Sequence, residues 1–332
     1  MNAKAILRAT LGLALSIVFV VLIVRTIPLA QLPALLPHLQ PLWLALAVGV
    51  FVADYALRIT RWHLMLKPLN PTLGWARCAT PFMVSIAANN VLPFRAGDVL
   101  RATAFSSWLN VPTTPLVGTL VVERLMDLLA LFTALGLALA FLSIPTTSTL
   151  IGSSGPLLIL LAMAILAVLV FPALLHRPIT MALSILHHIS PSLARKAKPE
   201  ATRLTALLTT LSQGRLLVPL LATSAVLWML EATTFYAVAR SLPPLTNPMA
   251  AWLAMPVGTL STLLPSSPGY VGTFHYFVIQ ALQTMGNPPA AAALFAILVH
   301  LVLWLCTTVT GGICALYWVW SRTPSNRQGH RS

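Results

Sequence analysis

The residues most able to do chemistry are concentrated between Asn89 and Arg101, in the stretch NNVLPFRAGDVLR. These thirteen positions of a strongly apolar chain hold two amides, two arginines and an aspartate. The planar guanidinium of arginine binds phosphate oxygens bidentately, and amides donate further hydrogen bonds. We therefore predict a site for a polar or anionic headgroup, formed by Asn89, Asn90, Arg95, Asp98 and Arg101.

Proline and glycine interrupt the same stretch, at Pro93 and Gly97. Proline removes a backbone donor and breaks the helical ladder, whereas glycine permits turns that other residues take at a cost. In lipid, a broken backbone persists only where protein or a water-filled cavity satisfies its freed groups. The stretch is therefore expected to be the tip of a hairpin that enters the membrane and turns back.

A second interrupted stretch, STLLPSSPGYV at residues 261–271, has the same pattern. A shift of 172 positions aligns Leu92, Pro93, Gly97 and Val99 with Leu264, Pro265, Gly269 and Val271. Interrupted apolar segments at corresponding places in two halves indicate a transporter's binding site. We predict a second turn whose backbone depends on Pro265, Pro268, Gly269 and Gly272. Two unrelated loops in a leucine-rich chain are the alternative.

The acidic residues are few, and most lie in or beside apolar segments: Asp54, Asp98, Glu123, Asp127 and Glu231. A charge at the centre of a bilayer helix costs roughly 2.5–3.5 kcal/mol or more, so each needs a cavity or a partner. We therefore add a second group to the predicted substrate-binding residues: Glu123, Arg124, Asp127 and Glu231. Glu231 is also the candidate for proton coupling.

The motif around Glu123 is expected to meet the charges of the first hairpin. Glu123 and Asp127 are four residues apart and share one helix face. Arg124 lies about 100° further round, so we do not expect it to be their intrahelical partner. We expect all three to contact Arg95, Asp98 and Arg101. The alternative is a buried salt-bridge network that only fixes the fold.

Composition defines the class of protein. Of 332 residues, 58% are apolar and 8% are charged, against roughly 25% charged in soluble domains. This predicts an all-α polytopic membrane protein. The excess of 20 Lys+Arg over 6 Asp+Glu gives a net charge of +14. The Lys and Arg residues lie beside apolar runs. Membrane topology and attraction to anionic lipid headgroups therefore explain the excess better than binding to nucleic acid does.

Hydropathy predicts six full spans, since a spanning helix needs about 20 apolar residues. They are Ala5–Ile27, Leu42–Leu57, Pro115–Leu142, Pro156–Leu175, Leu216–Ala239 and one within Pro289–Trp320. Two re-entrant segments, Cys78–Leu109 and Ala250–Met285, complete the chain. Arg58 and Arg61 follow the second span and are interpreted as topological anchors.

Loop charge predicts the orientation. The N-terminus, the loop after the second span, the basic loop 176–215 and the C-terminal tail are rich in Lys and Arg, so we expect them in the cytoplasm. The two interrupted segments then enter from opposite faces. This predicts an inverted-topology repeat within a single membrane domain, with halves at about 42–142 and 216–320. Two pieces of loop 176–215 have the character of interfacial helices.

The sequence contains no GxSxG, Walker A or HExxH motif and no metal-spaced His/Cys cluster. The loops expected outside are short and carry no acidic residue. We therefore predict a transporter rather than an enzyme, with no cofactor and no metal.

Three motifs in order resemble the transmembrane region of lysylphosphatidylglycerol synthases, a flippase-like family: LPFRAGDVLR at 92–101, VVERLMDLL at 121–129 and LPSSPGYVGTF at 264–274. The RxxRW motif at Arg58–Trp62 is similar to an early motif of that family. The resemblance implies a bacterial or archaeal membrane protein. In two-domain members, this region moves an aminoacylated phospholipid to the outer leaflet.

The sequence also departs from that family. Its patterns often have an acidic residue where this chain has His275, which puts a shared proton or cation role there in doubt. The chain ends twelve residues after Trp320, so we expect a stand-alone member without the aminoacyltransferase domain. Stand-alone members are linked to hopanoid export and to glycolipid or polyprenyl-lipid pathways.

These observations predict a lipid translocase in the bacterial inner membrane, with both termini cytoplasmic. Its partner would be a lipid substrate such as a phospholipid, a hopanoid or a polyprenyl-linked lipid, and lipid-biosynthesis enzymes are candidate protein partners. One alternative is a membrane-embedded enzyme or enzyme subunit acting in lipid-linked sugar or aminoacyl-lipid metabolism. A scaffold for a lipid-synthesis complex is the other.

Overall fold

The computed structural model describes residues 3–92, 95–142, 149–212 and 214–321, which are almost entirely helical and contain no strand. In chain order the helices are α1 (Ala3–Thr26), α2 (Leu32–Leu35), α3 (Pro41–Leu66), α4 (Trp75–Val91), α5 (Ala96–Thr103), α6 (Ser106–Leu109), α7 (Thr113–Phe141), α8 (Thr149–Val170), α9 (His176–Ile189), α10 (Pro191–Leu211), α11 (Gly214–Arg240), α12 (Ala251–Ser261), α13 (Thr273–Thr284) and α14 (Pro289–Trp320).

The long apolar helices make this an all-α polytopic membrane protein. Among the described residues, four helices are long and apolar enough to cross a membrane: α3, α7, α11 and α14. Two bent pairs, Leu13–Thr26 with Leu29–His38 and Ser154–Val170 with Pro172–Ile189, raise the number to six if each pair is one span.

Two of the predicted spans end elsewhere. Helix α3 continues to Leu66 instead of ending at Leu57, because no helix breaker precedes Pro68. Helix α8 stops at Val170 rather than Leu175, since Pro172 opens a 3-10 turn and the chain bends by 103°.

Both interrupted segments are broken helices. The first comprises α4, α5 and α6, and the predicted turn residue Pro93 lies outside the described residues. The second comprises α12, a 3-10 turn at Pro268–Tyr270, and α13, which packs back against α12. The predicted interruptions are therefore present. Their entry from opposite membrane faces stays a prediction.

The described residues fall into two compact units. Unit one takes its residues from Met1–Tyr55, Ala76–Arg101 and Met229–Ser332, and unit two from Ala56–Trp75 and Ala102–Trp228. Unit one therefore holds α4, α12, α13 and α14, so most of both broken segments lies in it. These units do not follow the predicted sequence halves, and the inverted repeat stays a prediction.

Small residues bring helices close together within each unit. In unit one, a Cβ on Gly311 of α14 would collide with the Met83 carbonyl oxygen and lie 2.5 Å from Ala87 Cβ, both on α4. In unit two, α7 packs on α8 and α10, and a Cβ on Gly118 would lie 2.5 Å from Leu207 Cδ2. Small residues permit this close approach of helices in membranes.

Candidate functional site

The first broken segment is held in a turn by Asn89 and Asp98. Asn89 Nδ2 donates to Asp98 Oδ1 at 2.9 Å, and Asn89 Oδ1 accepts from the Asp98 backbone amide at 3.3 Å. Nine residues of continuous helix would separate them by about 13 Å, so the chain folds back here. Gly97 permits the approach, because a Cβ there would collide with the Ser85 carbonyl oxygen.

Arg95 joins the breaks of the two segments. Its Nη2 donates to Thr262 Oγ1 at 3.0 Å, and its guanidinium lies 5.9 Å from the ring centroid of Tyr270. Arg95 and Tyr270 have φ values of 51° and 59°. This left-handed region is rare for side-chain-bearing residues and costs of order 1–3 kcal/mol each. Two strained residues from separate breaks therefore face each other.

Helix α14 adds hydroxyl groups at the same place. Asn90 Nδ2 donates to Thr307 Oγ1 and to Thr308 Oγ1, both at 2.9 Å. A Cβ on Gly269 would lie 3.3 Å from the Asn90 carbonyl oxygen, so the second turn is close to the first. We call the six polar side chains gathered here the tip cluster: Asn90, Arg95, Thr262, Tyr270, Thr307 and Thr308.

The backbone of the second break depends on its glycines. Gly269 and Gly272 have φ values of 69° and 88°, which glycine adopts without steric cost. Gly272 also packs on α1, where a Cβ would lie 2.6 Å from the Ser16 carbonyl oxygen. Ser16 Oγ accepts from the Ser267 amide at 2.7 Å. The predicted turn residues lie in this break, Pro265 as an exposed residue and Pro268 at the start of the 3-10 turn.

Exposed apolar residues lie next to residues of the tip cluster along the sequence. Val91 and Leu92 border the first break and are 57% and 45% exposed, and Leu263 and Leu264 border the second at 56% and 40%. In a membrane protein such side chains are compatible with lipid. The breaks therefore present polar groups beside an apolar rim, which suits an amphiphile better than a water-soluble solute.

Arg101 lies apart from the tips along α4. It is 1% exposed, and its guanidinium sits 4.7 Å over the ring of Phe82. Phe82 precedes Asn90 by eight residues, about 12 Å of helix. The sequence predicts Arg101 to be part of the headgroup site, but it is buried over Phe82 and is not one of the tip-cluster residues.

Unit two holds a separate charge cluster. Arg61 is 2% exposed. Its Nη2 donates to Asp127 Oδ1 at 2.8 Å and its Nη1 to Ser224 Oγ at 3.0 Å. Arg124 Nη1 lies 3.6 Å from Asp127 Oδ2. We call these charged residues, together with Arg58 one turn before Arg61 on α3, the charge cluster: Arg58, Arg61, Arg124 and Asp127.

Two sequence interpretations are wrong here. Arg124 is an intrahelical partner of Asp127, because residues three apart on a helix are neighbours and the guanidinium is long. Arg61 does not follow the second span, since α3 continues past it, and it is buried against Asp127; its role in membrane orientation stays a prediction. Arg58, on the same helix, lies 4.7 Å over the ring of Trp228.

The remaining predicted acids are buried in helices. Glu123, on α7 in unit two, is 4% exposed, and Glu231, on α11 in unit one, is 7% exposed. The predicted meeting of Glu123, Arg124 and Asp127 with the first hairpin joins residues of different units, and it stays a prediction. In the part of the chain that the structure describes, no three His, Cys, Asp or Glu residues could hold a metal ion.

Sequence reasoning missed several residues of these clusters. It did not single out Tyr270, Thr307 or Thr308, although the TTVT run inside the last apolar helix is a polar signal. It also missed Ser224, which has no distinguishing pattern around it. His275 and His300 stack with ring centroids 4.6 Å apart, in unit one.

The chain as a whole is similar in sequence to known proteins. The family described as lysylphosphatidylglycerol synthase TM region matches residues 9–311. The chain is similar to a glycosyltransferase, AglD, of Haloferax volcanii, with 25% identity over 331 residues. The match covers 91% of this chain and 53% of that protein, so the chain spans about half the length of this relative. No solved structure matches.

Proposed function

The chain belongs to the lysylphosphatidylglycerol synthase transmembrane-region family, and on that premise we propose that it is a lipid translocase. The tip cluster binds the polar headgroup of a phospholipid, a hopanoid or a polyprenyl-linked lipid. The acyl or isoprenoid tails stay in the bilayer, against the exposed apolar rim of the breaks. Alternating rocking of two repeats moves the headgroup between leaflets.

The observation that carries this proposal is the bridge from Arg95 to Thr262, with Tyr270 facing the same guanidinium. The bridge leaves further N–H donors of the guanidinium for phosphate oxygens. Strained backbone at both ends favours two arrangements of the tips, because relief of strain offsets the loss of the bridge. A site that opens when a headgroup displaces Thr262 needs such a balance.

The charge cluster and the buried acids have a supporting role in this proposal. Glu123, Arg124 and Asp127 are proposed as further substrate-binding residues, and Glu231 couples a proton to the movement of the headgroup. Because intramembrane charges persist only when paired or solvated, their burial is consistent with such a role. The termini and the basic loop 176–215 face the cytoplasm of a bacterial inner membrane.

The direct experiment is reconstitution of the purified protein in liposomes with headgroup-labelled lipids. We expect the protein to move labelled lipid from the inner to the outer leaflet. A membrane-impermeant quencher outside the liposomes then removes the signal of the lipid that has moved. The lipid panel includes phosphatidylglycerol, its lysyl derivative, a hopanoid and a polyprenyl phosphate. No movement of any of these lipids, by a protein that remains folded, would contradict the proposal.

A second candidate is an enzyme or enzyme subunit acting on a lipid-linked sugar. The similarity to AglD, which is named a glycosyltransferase, favours it. Product chemistry separates the two: a transferase makes a new covalent lipid, detected by mass spectrometry of extracted liposomes. A translocase leaves every lipid mass unchanged and alters only its leaflet.

A further inference from the structure

Helix α9 leaves the preceding helix at a steep angle. Helix α8 has 22 residues, about 33 Å, which is enough to cross the hydrocarbon core. Pro172–Ile189 is bent by 103° from Ser154–Val170. If α8 crosses the bilayer, α9 therefore runs near the membrane plane. Helix α10 packs against α9.

The residues of α9 sort into three faces at about 100° per residue. The exposed apolar face carries Met181, Ile185 and Ile189, which are 67%, 53% and 77% exposed. A half-buried face carries Leu183 and Leu186, and no residue of α9 is fully buried. A separate polar face carries Arg177, Thr180, Ser184, His187 and His188.

Basic residues outnumber acidic residues on this helix pair. Residues 176–211 hold five Lys or Arg against one acid, which gives 5 − 1 = +4 with neutral histidines. The one acid, Glu200, pairs with Arg203 at 2.8 Å. Four cations are exposed and have no carboxylate at ion-pair distance among the described residues: Arg177, Arg195, Lys196 and Lys198.

We propose that α9 and α10 form a docking surface for anionic phospholipid of the adjacent leaflet, with Met181, Ile185 and Ile189 inserted at the acyl boundary. The charge and the geometry together select this occupant. The exposed apolar face of α9 suits the acyl boundary, and the exposed cations of the pair, Arg177 on α9 and three more on α10, suit the headgroup region, where anionic lipid attracts each cation. A soluble protein partner would need neither the 103° bend nor an apolar face at the level of the lipid headgroups.

Site-specific photocrosslinking in the full-length chain tests the proposal. A benzophenone amino acid replaces Ile185 or, as the matched control on the polar face, Ser184. Both variants are reconstituted in vesicles of equal phosphatidylglycerol and phosphatidylcholine. We expect lipid adducts mainly from position 185, with phosphatidylglycerol in excess. The proposal would be overturned if position 185 crosslinked to protein or to a second copy of the chain, or if it gave no lipid adduct.

Charge removal tests the anionic preference separately from folding. Arg195→Gln, Lys196→Gln and Lys198→Gln should each lower the ratio of phosphatidylglycerol to phosphatidylcholine adducts by roughly fivefold, the fold-change for about 1 kcal/mol per cation. Arg195→Lys keeps the charge and should keep the ratio. The proposal would be overturned if the ratio were unchanged in a variant that combines the three glutamine substitutions. Equal adducts from both lipids in the unaltered protein would also overturn it. Leaflet movement of labelled lipid is not the readout, so this result is independent of the proposed translocase activity.

Discussion

Arg95 Nη2 donates a hydrogen bond to Thr262 Oγ1 at 3.0 Å, across 167 residues of sequence. The bond joins the breaks of two helical segments in one unit, and Tyr270 faces the same guanidinium. In an apolar unit, an arginine held by a neutral hydroxyl retains donors for an anionic ligand. This bridge is the basis of the headgroup site.

Thr262→Val should slow lipid movement. Valine keeps the shape of the side chain but removes the acceptor for Arg95. Without the bridge, relief of backbone strain is unopposed and holds the tips in the open arrangement, so alternation between the two arrangements slows. A hydrogen bond to a charged group contributes about 1.5–3 kcal/mol, so we expect a fall of roughly tenfold or more in the initial rate. Thr262→Ser retains the hydroxyl and should move lipid like the unaltered protein. Equal rates for the valine and serine variants would show that the bridge is dispensable.

Gly311→Ala should destabilise the protein, whereas Gly312→Ala should not. A Cβ at 311 would collide with the Met83 carbonyl oxygen, but nothing lies within 4 Å of a Cβ at 312. Overpacking costs about 1–3 kcal/mol, and Gly→Ala in an open helix position is neutral or favourable. Thermal unfolding in detergent, followed by tryptophan fluorescence, measures both. A lower unfolding midpoint for Gly312→Ala, with an unchanged midpoint for Gly311→Ala, would contradict the close packing of α4 on α14.

Arg61 and Asp127 should behave as a coupled pair. Their ion pair has a 2.8 Å separation, and the side chains are 2% and 10% exposed. Removing one partner strands a buried charge and costs about 3–5 kcal/mol, whereas replacing both is often nearly neutral. We expect Arg61→Met and Asp127→Leu to destabilise singly and the double variant to recover. Additive losses in this double-mutant cycle would argue against direct coupling.

His275→Phe should preserve both stability and lipid movement. The ring stacks on His300, and its buried Nδ1 has no hydrogen-bond partner among the described residues. Removing an unsatisfied buried group recovers up to about 1–3 kcal/mol. His63→Phe should, by contrast, lower stability, since it removes the hydrogen bond between His63 Nε2 and the Leu73 carbonyl oxygen at 2.7 Å. Loss of lipid movement in a folded His275→Phe protein would instead indicate a proton relay.

Much of the architecture could be predicted because its signals are local. Apolar runs of spanning length located the long helices, and proline with glycine located both breaks. Asn89 and Asp98 attracted attention as polar residues in an apolar chain, and the structure joins them. Burial of the acids in helices followed from their sequence context.

The contacts that sequence reasoning missed are long-range or depend on side-chain length. Asn90 meets Thr307 across 217 residues, and nothing local at either position specifies the other. Arg61 looked like a flanking charge, since the partner that makes its burial possible, Asp127, lies on another helix. Arg124 was set aside on angular position alone, although a guanidinium reaches an acid one turn away.

The headgroup site at the tip cluster is tested most directly by the initial rate of leaflet movement for a headgroup-labelled lipid, compared between the unaltered protein and Arg95→Asn. Asparagine tolerates the left-handed backbone that Arg95 adopts, with its φ of 51°, so the turn should persist while the guanidinium is lost. Arg203→Gln, which removes an exposed ion pair, is the matched loss of charge.

We predict lipid movement with the unaltered protein and with Arg203→Gln, and loss of most of that movement with Arg95→Asn at unchanged thermal stability. Equal rates for Arg95→Asn and the unaltered protein would contradict a headgroup site at the tip cluster.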